Sequence, residues 1–148
     1  MTKLLASGFG IGFIPGPTGS YATAVSAVIW WYLFPADWII YSIIIIAGFV
    51  VSVIVAGRAE KLFGTPDDKR IVIDEIIGFW FAVAYLRKSL PFAIAGLVFF
   101  RFFDVAKIPS IRKLEKLPGG FGVVMDDVAA GIITNLLVRF ISLVVGYS

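Results

Sequence analysis

The sequence contains neither cysteine nor histidine among its 148 residues. The lack of cysteine excludes disulfide bonds, thiolate metal sites and thiol nucleophiles. The lack of histidine excludes an imidazole general base and a phosphohistidine intermediate. Any catalysis would therefore depend on carboxylates, hydroxyl groups, lysine, arginine or a bound metal ion.

Charged residues are also scarce, at 16% of the chain, and the formal net charge of +3 is too small to indicate a nucleic-acid partner. Hydrophobic residues make up 59% of the chain, and the mean hydropathy is +0.96. This apolar share exceeds that of ordinary soluble domains. The composition predicts a single integral-membrane domain over residues 1–148. Because the alternation typical of a membrane barrel is absent, we expect an all-α fold.

The apolar residues fall into four to five runs of helical length, which predict a polytopic helical bundle. The runs are 21–34, 38–56, 71–86, 90–103 and 128–145. The second run contains no charged residue and is long enough to span a bilayer unaided. The shorter runs carry acids near one end. We expect those polar ends to line a shared cavity, because charged groups survive at membrane depth only where protein or water surrounds them.

Lysine and arginine concentrate on alternate loops of this predicted bundle. One such loop follows the second run and the other precedes the last run; together they contain Arg58, Lys61, Lys69, Arg70, Lys107, Arg112, Lys113 and Lys116. The positive-inside rule places both loops and the N-terminus in the cytoplasm. The acids at the ends of the runs would then meet in a polar site at the cytoplasmic edge of the membrane.

Acidic residues at the edges of apolar runs are the strongest functional signal in the chain. They are Asp74, Glu75, Asp104, Asp126 and Asp127. Ionised carboxylates near hydrocarbon are costly unless a cation or hydrogen bonds compensate them. Helix capping is the structural alternative, but these acids exceed what the helix ends require. Oxygen donors without histidine or cysteine favour a hard cation, and Mg²⁺ is the leading candidate because it suits phosphate substrates.

Basic and glycine-rich segments near the acids predict a phosphate site. Arg101, Asp104 and Lys107 are spaced three residues apart and so share one side of a helix. This arrangement suits a metal ligand between phosphate-binding cations, although a salt-bridge ladder has the same spacing. A glycine-rich segment containing Gly19 and Ser20 leads into the first run. Free amide groups at such a helix start bind anions, although flexible turns have similar sequences.

Four separate blocks of the chain resemble the bacterial phosphatidylglycerophosphatase A family. The blocks are Gly8-Phe-Gly with Pro15-Gly16 and Gly19-Ser20; Ile71-Val-Ile-Asp-Glu-Ile-Ile-Gly78; Phe100-Arg-Phe-Phe-Asp104 with Lys107 and Ile111-Arg112; and Gly119-Gly-Phe-Gly122 with Asp126-Asp-Val-Ala-Ala-Gly131. They occur in the family's order and extend over nearly the whole chain.

The resemblance implies a Mg²⁺-dependent, multi-pass enzyme of the bacterial inner membrane that hydrolyses phosphatidylglycerophosphate to phosphatidylglycerol and inorganic phosphate. A carboxylate-held metal and an activated water would perform the reaction, with Asp74, Glu75 and Asp127 as catalytic residues. The resemblance adds Asp67 to the metal ligands and Arg112 to the phosphate-binding residues. The family's Lys-Pro-x-Pro-Ile-Arg segment is Lys107-Ile-Pro-Ser-Ile-Arg112 here, so one proline is displaced.

Two other functions are compatible with the sequence pattern. The same chemistry could act on another lipid phosphate, such as phosphatidic acid. A small cation or proton carrier would also place acids among apolar runs, but it would need them near the membrane midplane rather than at one edge. The pattern does not indicate an oligomeric state.

Overall fold

A computed structural model describes residues 1–65, 68–106 and 108–146, with Ser110 described by its backbone alone. The α-helices are Thr2–Ala6 (α1), Thr18–Leu33 (α2), Trp38–Phe63 (α3), Ile73–Ala82 (α4), Leu90–Ala106 (α5), Pro109–Arg112 (α6) and Gly120–Val145 (α7). Short 3₁₀ turns occupy Ile11–Phe13 and Leu114–Lys116. These described residues include no strand, so the prediction of an all-α fold is confirmed.

Only two of the described helices are long and apolar enough to cross a membrane, fewer than the four to five predicted. These are α3 and α7, with mean hydropathies of 2.9 and 2.1 over the most apolar part. The helices α2, α4 and α5 have 16, 10 and 17 residues, whereas a span perpendicular to the membrane needs about 20. The apolar run 71–86 is cut short because the chain turns after Ala82 and reaches a positive φ of 56° at Tyr85.

The outer surfaces of the long helices are apolar. On α3 the exposed residues include Ile39, Ile43, Ile46, Val50 and Ile54, and on α7 they include Leu136, Phe140 and Leu143. Soluble monomers rarely expose such continuous apolar surface, whereas lipid accommodates it without cost. The surface therefore agrees with the helix lengths in indicating a membrane protein.

The last helix begins earlier than the sequence predicts. We expected it to start at residue 128, after Asp126 and Asp127, but α7 starts at Gly120. A side chain at Gly120 would collide with the backbone oxygen of Val53 in α3, so glycine here allows the two helices to touch. The early start places both aspartates in the second turn of α7, rather than at its N-terminus.

The short helix α4 lies at the centre of the bundle and packs against α2, α3 and α7. Glycines bring α4 and α7 into backbone contact. A Cβ atom at Gly78 would lie 2.8 Å from the backbone oxygen of Asp127, and one at Gly131 would collide with the backbone oxygen of Gly78. This approach brings the acidic pair of α4 beside the acidic pair of α7.

The C-terminal end of α4 is capped by side chains of α7. Asn135 Nδ2 donates hydrogen bonds to the carbonyl oxygens of Ala82 and Ala84, both at 3.0 Å. Arg139 Nη2 donates to the same Ala84 oxygen at 2.9 Å, and Arg139 Nε donates to Asn135 Oδ1 at 2.8 Å. The last carbonyls of a helix lack partners within the helix. Arg139, the one charge in the last apolar run, therefore has a structural role.

Candidate metal and phosphate site

A polar cavity of about 480 Å³ lies where several helix ends meet. The start of α2, the first turn of α4, the end of α5 and the second turn of α7 form its walls. Its lining residues are Gly16, Pro17, Thr18, Gly19, Asp68, Lys69, Ile71, Asp74, Glu75, Arg101, Asp104, Val105, Asp126 and Asp127. We call this space the acidic cavity.

Three carboxylates converge in the acidic cavity. Asp74, Glu75 and Asp127 each offer one oxygen atom, and these atoms lie within 4.8 Å of one another. Asp74 is 7% exposed and Asp127 is 3% exposed. Two of these residues occupy the first turn of α4, and the close contact of α4 with α7 supplies the third. Residues distant in sequence therefore form one compact set of oxygen donors.

Arg101 is in contact with two acids of the cavity, Glu75 and Asp104. Its Nη1 atom donates a hydrogen bond to Asp104, one turn later in α5. The same nitrogen lies 4.0 Å from Glu75 Oε1. Two buried atoms in this group, Glu75 Oε2 and Arg101 Nε, have no hydrogen-bond partner within residues 1–65, 68–106 and 108–146. The guanidinium thus retains a donor for an additional acceptor.

Gly19 of α2 lies against this charged group. A Cβ atom at Gly19 would collide with Glu75 Oε1 and would lie 2.8 Å from Arg101 Nη1. A side chain larger than hydrogen would therefore displace one or both charged groups. The sequence predicted an anion-binding role for Gly19 but not this steric requirement. Ser20, predicted beside it, is not among the lining residues.

The cavity also contains an acid that sequence reasoning missed. Asp68 lines the cavity and accepts hydrogen bonds from Arg70 Nε at 2.7 Å and Nη2 at 2.6 Å. These bonds hold the pKa of Asp68 below its usual range. Its position two residues before an arginine was the available signal. Because Arg70 already neutralises it, Asp68 adds little to the unbalanced charge of the cavity.

The remaining charges fit a hard divalent cation. Two ionised carboxylates at the upper limit of their oxygen separations, 4.8 Å, repel by about 3 kcal/mol at an effective dielectric constant of about 20. A cation between them would reverse the sign of that interaction. The donors are all oxygen atoms, as Mg²⁺ and Ca²⁺ require, and the buried oxygen of Glu75 without a partner fits a ligand role.

Besides Ser20, three predicted residues fall outside this group. Asp67 and Lys107 lie outside the described residues. Arg112 is exposed at the end of α6 and does not line the acidic cavity. The displaced proline is Pro109, which occupies the first position of α6, where its missing N–H costs nothing.

Comparison with known proteins connects this site to a family. The sequence model of the family described as phosphatidylglycerophosphatase A matches residues 4–142. A Bacteroides thetaiotaomicron protein, named as a candidate phosphatidylinositol-3-phosphatase, is 32% identical over 97% of this chain and 94% of its own length. No solved structure matches the chain significantly.

Two relatives carry the family name itself. The phosphatidylglycerophosphatase A of Escherichia coli is 35% identical over 93% of this chain and 81% of its own length. The phosphatidylglycerophosphatase A of Haemophilus influenzae is 35% identical over 91% of this chain and 85% of its own length. The resemblance noted in the sequence is thus confirmed, and the chain belongs to the phosphatidylglycerophosphatase A family of phosphatases.

Proposed function

We propose that this protein is a membrane phosphatase that converts phosphatidylglycerophosphate to phosphatidylglycerol and inorganic phosphate, with the acidic cavity as its active site. The convergence of Asp74, Glu75 and Asp127 within 4.8 Å is the observation that carries the proposal. Family membership supports the reaction class. The substrate is the one that the names of the Escherichia coli and Haemophilus influenzae relatives indicate.

A divalent cation is needed because an anionic phosphate would otherwise be repelled by the carboxylates. Asp74, Glu75 and Asp127 would hold Mg²⁺, with Asp126 and Asp104 close by on the cavity wall. When bound, Mg²⁺ supplies positive charge to phosphoryl oxygens and lowers the pKa of water. Asp67, which the family resemblance adds, would be a further ligand.

The protein's own groups would orient the phosphate and move protons. Arg101 is fixed by Asp104 and lies beside Glu75, so its remaining N–H donors can bind phosphoryl oxygens. The amide groups at the start of α2, at Gly19, line the same cavity and favour an anion. Lys107 and Arg112 would add positive charge from the segment after α5.

Hydrolysis requires one proton acceptor and one proton donor. A water oxygen forms a bond to phosphorus while the bond from phosphorus to the glycerol oxygen breaks. A carboxylate oxygen of Asp74, Glu75 or Asp127 that does not contact the cation accepts the water proton. The departing glycerol oxygen takes up the proton from that carboxyl group, so phosphatidylglycerol and inorganic phosphate leave as products and the carboxylate is restored. No covalent phosphoenzyme is needed.

We further propose a multi-pass arrangement in the bacterial inner membrane, with the acidic cavity at the cytoplasmic edge. Arg58 and Lys61 lie near the C-terminal end of α3, Lys69 and Arg70 lie in the loop that follows, and Lys69 lines the cavity. The positive-inside rule favours the cytoplasm for such a loop. In this arrangement α2, α4 and α5 would enter the membrane together with α3 and α7.

The test is phosphate release by the purified protein in detergent. Phosphatidylglycerophosphate, phosphatidic acid and phosphatidylinositol 3-phosphate are compared, each with Mg²⁺ and with a chelator. We expect the fastest release from phosphatidylglycerophosphate, and loss of release with the chelator. Fastest release from phosphatidylinositol 3-phosphate would favour the activity named for the Bacteroides thetaiotaomicron relative. Absence of release from all three lipids, together with cation flux into liposomes, would support a carrier.

A further inference from the structure

A second cavity, of about 470 Å³, lies on the other side of α4. Its lining is apolar and includes Leu5, Ile29, Val51, Ile73, Ile76 and Ile77. We call this cavity the α4 groove. Its volume lies in the range of about 300–1,000 Å³ that is typical of ligand pockets. The reaction proposed above makes no use of it.

The α4 groove and the acidic cavity begin at the same turn of α4. Ile73, Ile76, Ile77 and Trp80 follow one face of the helix at helical spacing and line the groove. Asp74 and Glu75 line the acidic cavity instead. One amphiphilic molecule at this turn could therefore place a polar part among the carboxylates and an apolar part along the isoleucines.

The groove extends along α4 away from the acids. From Ile73 to Trp80 the helix advances by roughly 10 Å, at 1.5 Å per residue. The opposite wall includes Gly48, Val51 and Ser52 of α3, which is one of the two candidate membrane spans. The groove thus begins level with the polar cavity and continues beside the apolar part of the molecule.

Glycines allow the walls to close on α4. A Cβ atom at Gly48 would lie 3.0 Å from Ile77 Cδ1 and 3.1 Å from Trp80 Cζ3, so α3 can approach α4 closely here. On the other side, a Cβ atom at Gly8 would lie 3.3 Å from Ile76 Cδ1. The groove therefore has walls on both sides and is not a flat apolar face.

The mouth of the groove opens on the apolar outer surface. Val25 and Val51 are 40% and 47% exposed there, beside the exposed isoleucines of α3. In the proposed membrane arrangement, a molecule that enters from this side comes from lipid. We propose that the α4 groove binds one acyl chain of the lipid whose phosphate group occupies the acidic cavity. This proposal depends on the proposed function, because it assigns the groove to that substrate.

The acyl chain in the groove would direct the phosphate to the carboxylates. A lipid phosphate would gain affinity from the apolar contacts, whereas a soluble phosphomonoester would have only the cavity contacts. The groove thereby selects lipid substrates over soluble ones. It does so through the apolar face of α4, without any group that touches the phosphate.

Val51→Trp, which fills the groove, and Val50→Trp, its matched control, test the proposal. Val50 is the adjacent residue, is similarly exposed at 49% and does not line the groove. For Val51→Trp we expect roughly a tenfold higher KM for long-chain phosphatidylglycerophosphate, as typical for steric changes in apolar pockets. The kcat, and the turnover of a soluble dihexanoyl substrate, should stay at the wild-type values. Val50→Trp should change neither substrate.

Three results would overturn the proposal. They are an unchanged KM in Val51→Trp, an equal rise in KM in both variants, and an equal loss of turnover by Val51→Trp with the long-chain and the dihexanoyl substrate. A change in oligomeric state confined to Val51→Trp, measured by size exclusion in detergent, would also overturn it by showing that a second copy covers the groove.

Photolabelling separates this proposal from the proposed function, because it needs no turnover. The probe is phosphatidylglycerophosphate with a diazirine in one acyl chain. If wild-type protein releases no phosphate, the proposed reaction fails. The acyl site is then supported only if residues 46–55 and 71–82 are labelled in wild type and Val50→Trp but not in Val51→Trp. Equal labelling of all three proteins would overturn it.

Discussion

The two ends of α4 both present polar groups to α7, but their hydrogen bonding differs. At the C-terminal end, the carbonyl oxygens of Ala82 and Ala84 accept hydrogen bonds from Asn135 and Arg139. At the N-terminal end, buried carboxylates lie within 4.8 Å of one another, and Glu75 Oε2 has no hydrogen-bond partner within the described residues.

The difference distinguishes polar groups that stabilise the fold from polar groups that are available for function, at opposite ends of the same helix. Buried polar groups that serve only the fold are generally satisfied by the protein itself. Groups that cluster with like charges in a cavity, at a cost to stability, mark a binding site. The C-terminal end of α4 therefore fixes the helix in the bundle, and the N-terminal end is available for a cation and a phosphate.

The largest expected effect comes from removing one carboxylate charge at the N-terminal end. Glu75→Gln and Asp127→Asn should each lower kcat for phosphate release by about 10²–10⁴-fold, because each removes a proposed cation ligand or proton acceptor. Thermal unfolding in detergent without Mg²⁺ should be unchanged or shifted upwards, since repulsion is relieved. Near-normal turnover in both variants would show that the carboxylates at the N-terminal end have no catalytic role, and the proposed difference between the two ends of α4 would be wrong.

A smaller loss of turnover is expected when the spacing between the charged groups is disturbed. A methyl group in Gly19→Ala would press on Glu75 and Arg101, and we expect turnover to fall by about 10²-fold, as for a displacement of about 1 Å in an active site. Ser20→Ala, at the adjacent position outside the cavity lining, is the control and should retain wild-type turnover. Equal losses in the two variants would instead indicate a general effect on the start of α2.

The smallest effect on turnover is expected at the C-terminal end. Asn135→Ala leaves carbonyl oxygens of α4 with fewer donors and should lower the free energy of unfolding by about 1–3 kcal/mol. Turnover per folded molecule should stay near the wild-type value. The measurements are thermal unfolding and phosphate release on the same preparation, with Leu136→Ala, at an exposed position, as the control. If Asn135→Ala abolished turnover without loss of stability, the C-terminal end would have a functional role too.

Local pattern was sufficient to predict many parts of this molecule. The apolar runs predicted the main helices, and the three-residue spacing predicted that Arg101 and Asp104 share a helix face; the two residues form an ion pair. The acidic residues stood out because ionised carboxylates have a high free-energy cost in an apolar environment. Each of these signals lies within a single segment of sequence.

The remaining features depend on contacts between segments. The carbonyl oxygens at the end of α4 accept hydrogen bonds from Asn135 and Arg139, more than fifty residues later. The early start of α7 depends on Gly120 facing α3, and the role of Gly19 depends on side chains from α4 and α5. A glycine pattern alone does not specify which atom will lie opposite the missing side chain. These features therefore became visible only in the folded chain.

The central claim is that the N-terminal end of α4 forms a cation site with α7, and Mg²⁺ binding tests it most directly. Isothermal titration calorimetry of the detergent-purified protein should show Mg²⁺ binding to wild type and to Asn135→Ala, and a large loss of affinity in Asp127→Asn. Binding to Asp127→Asn with wild-type affinity, or no binding to folded wild-type protein, would contradict the account.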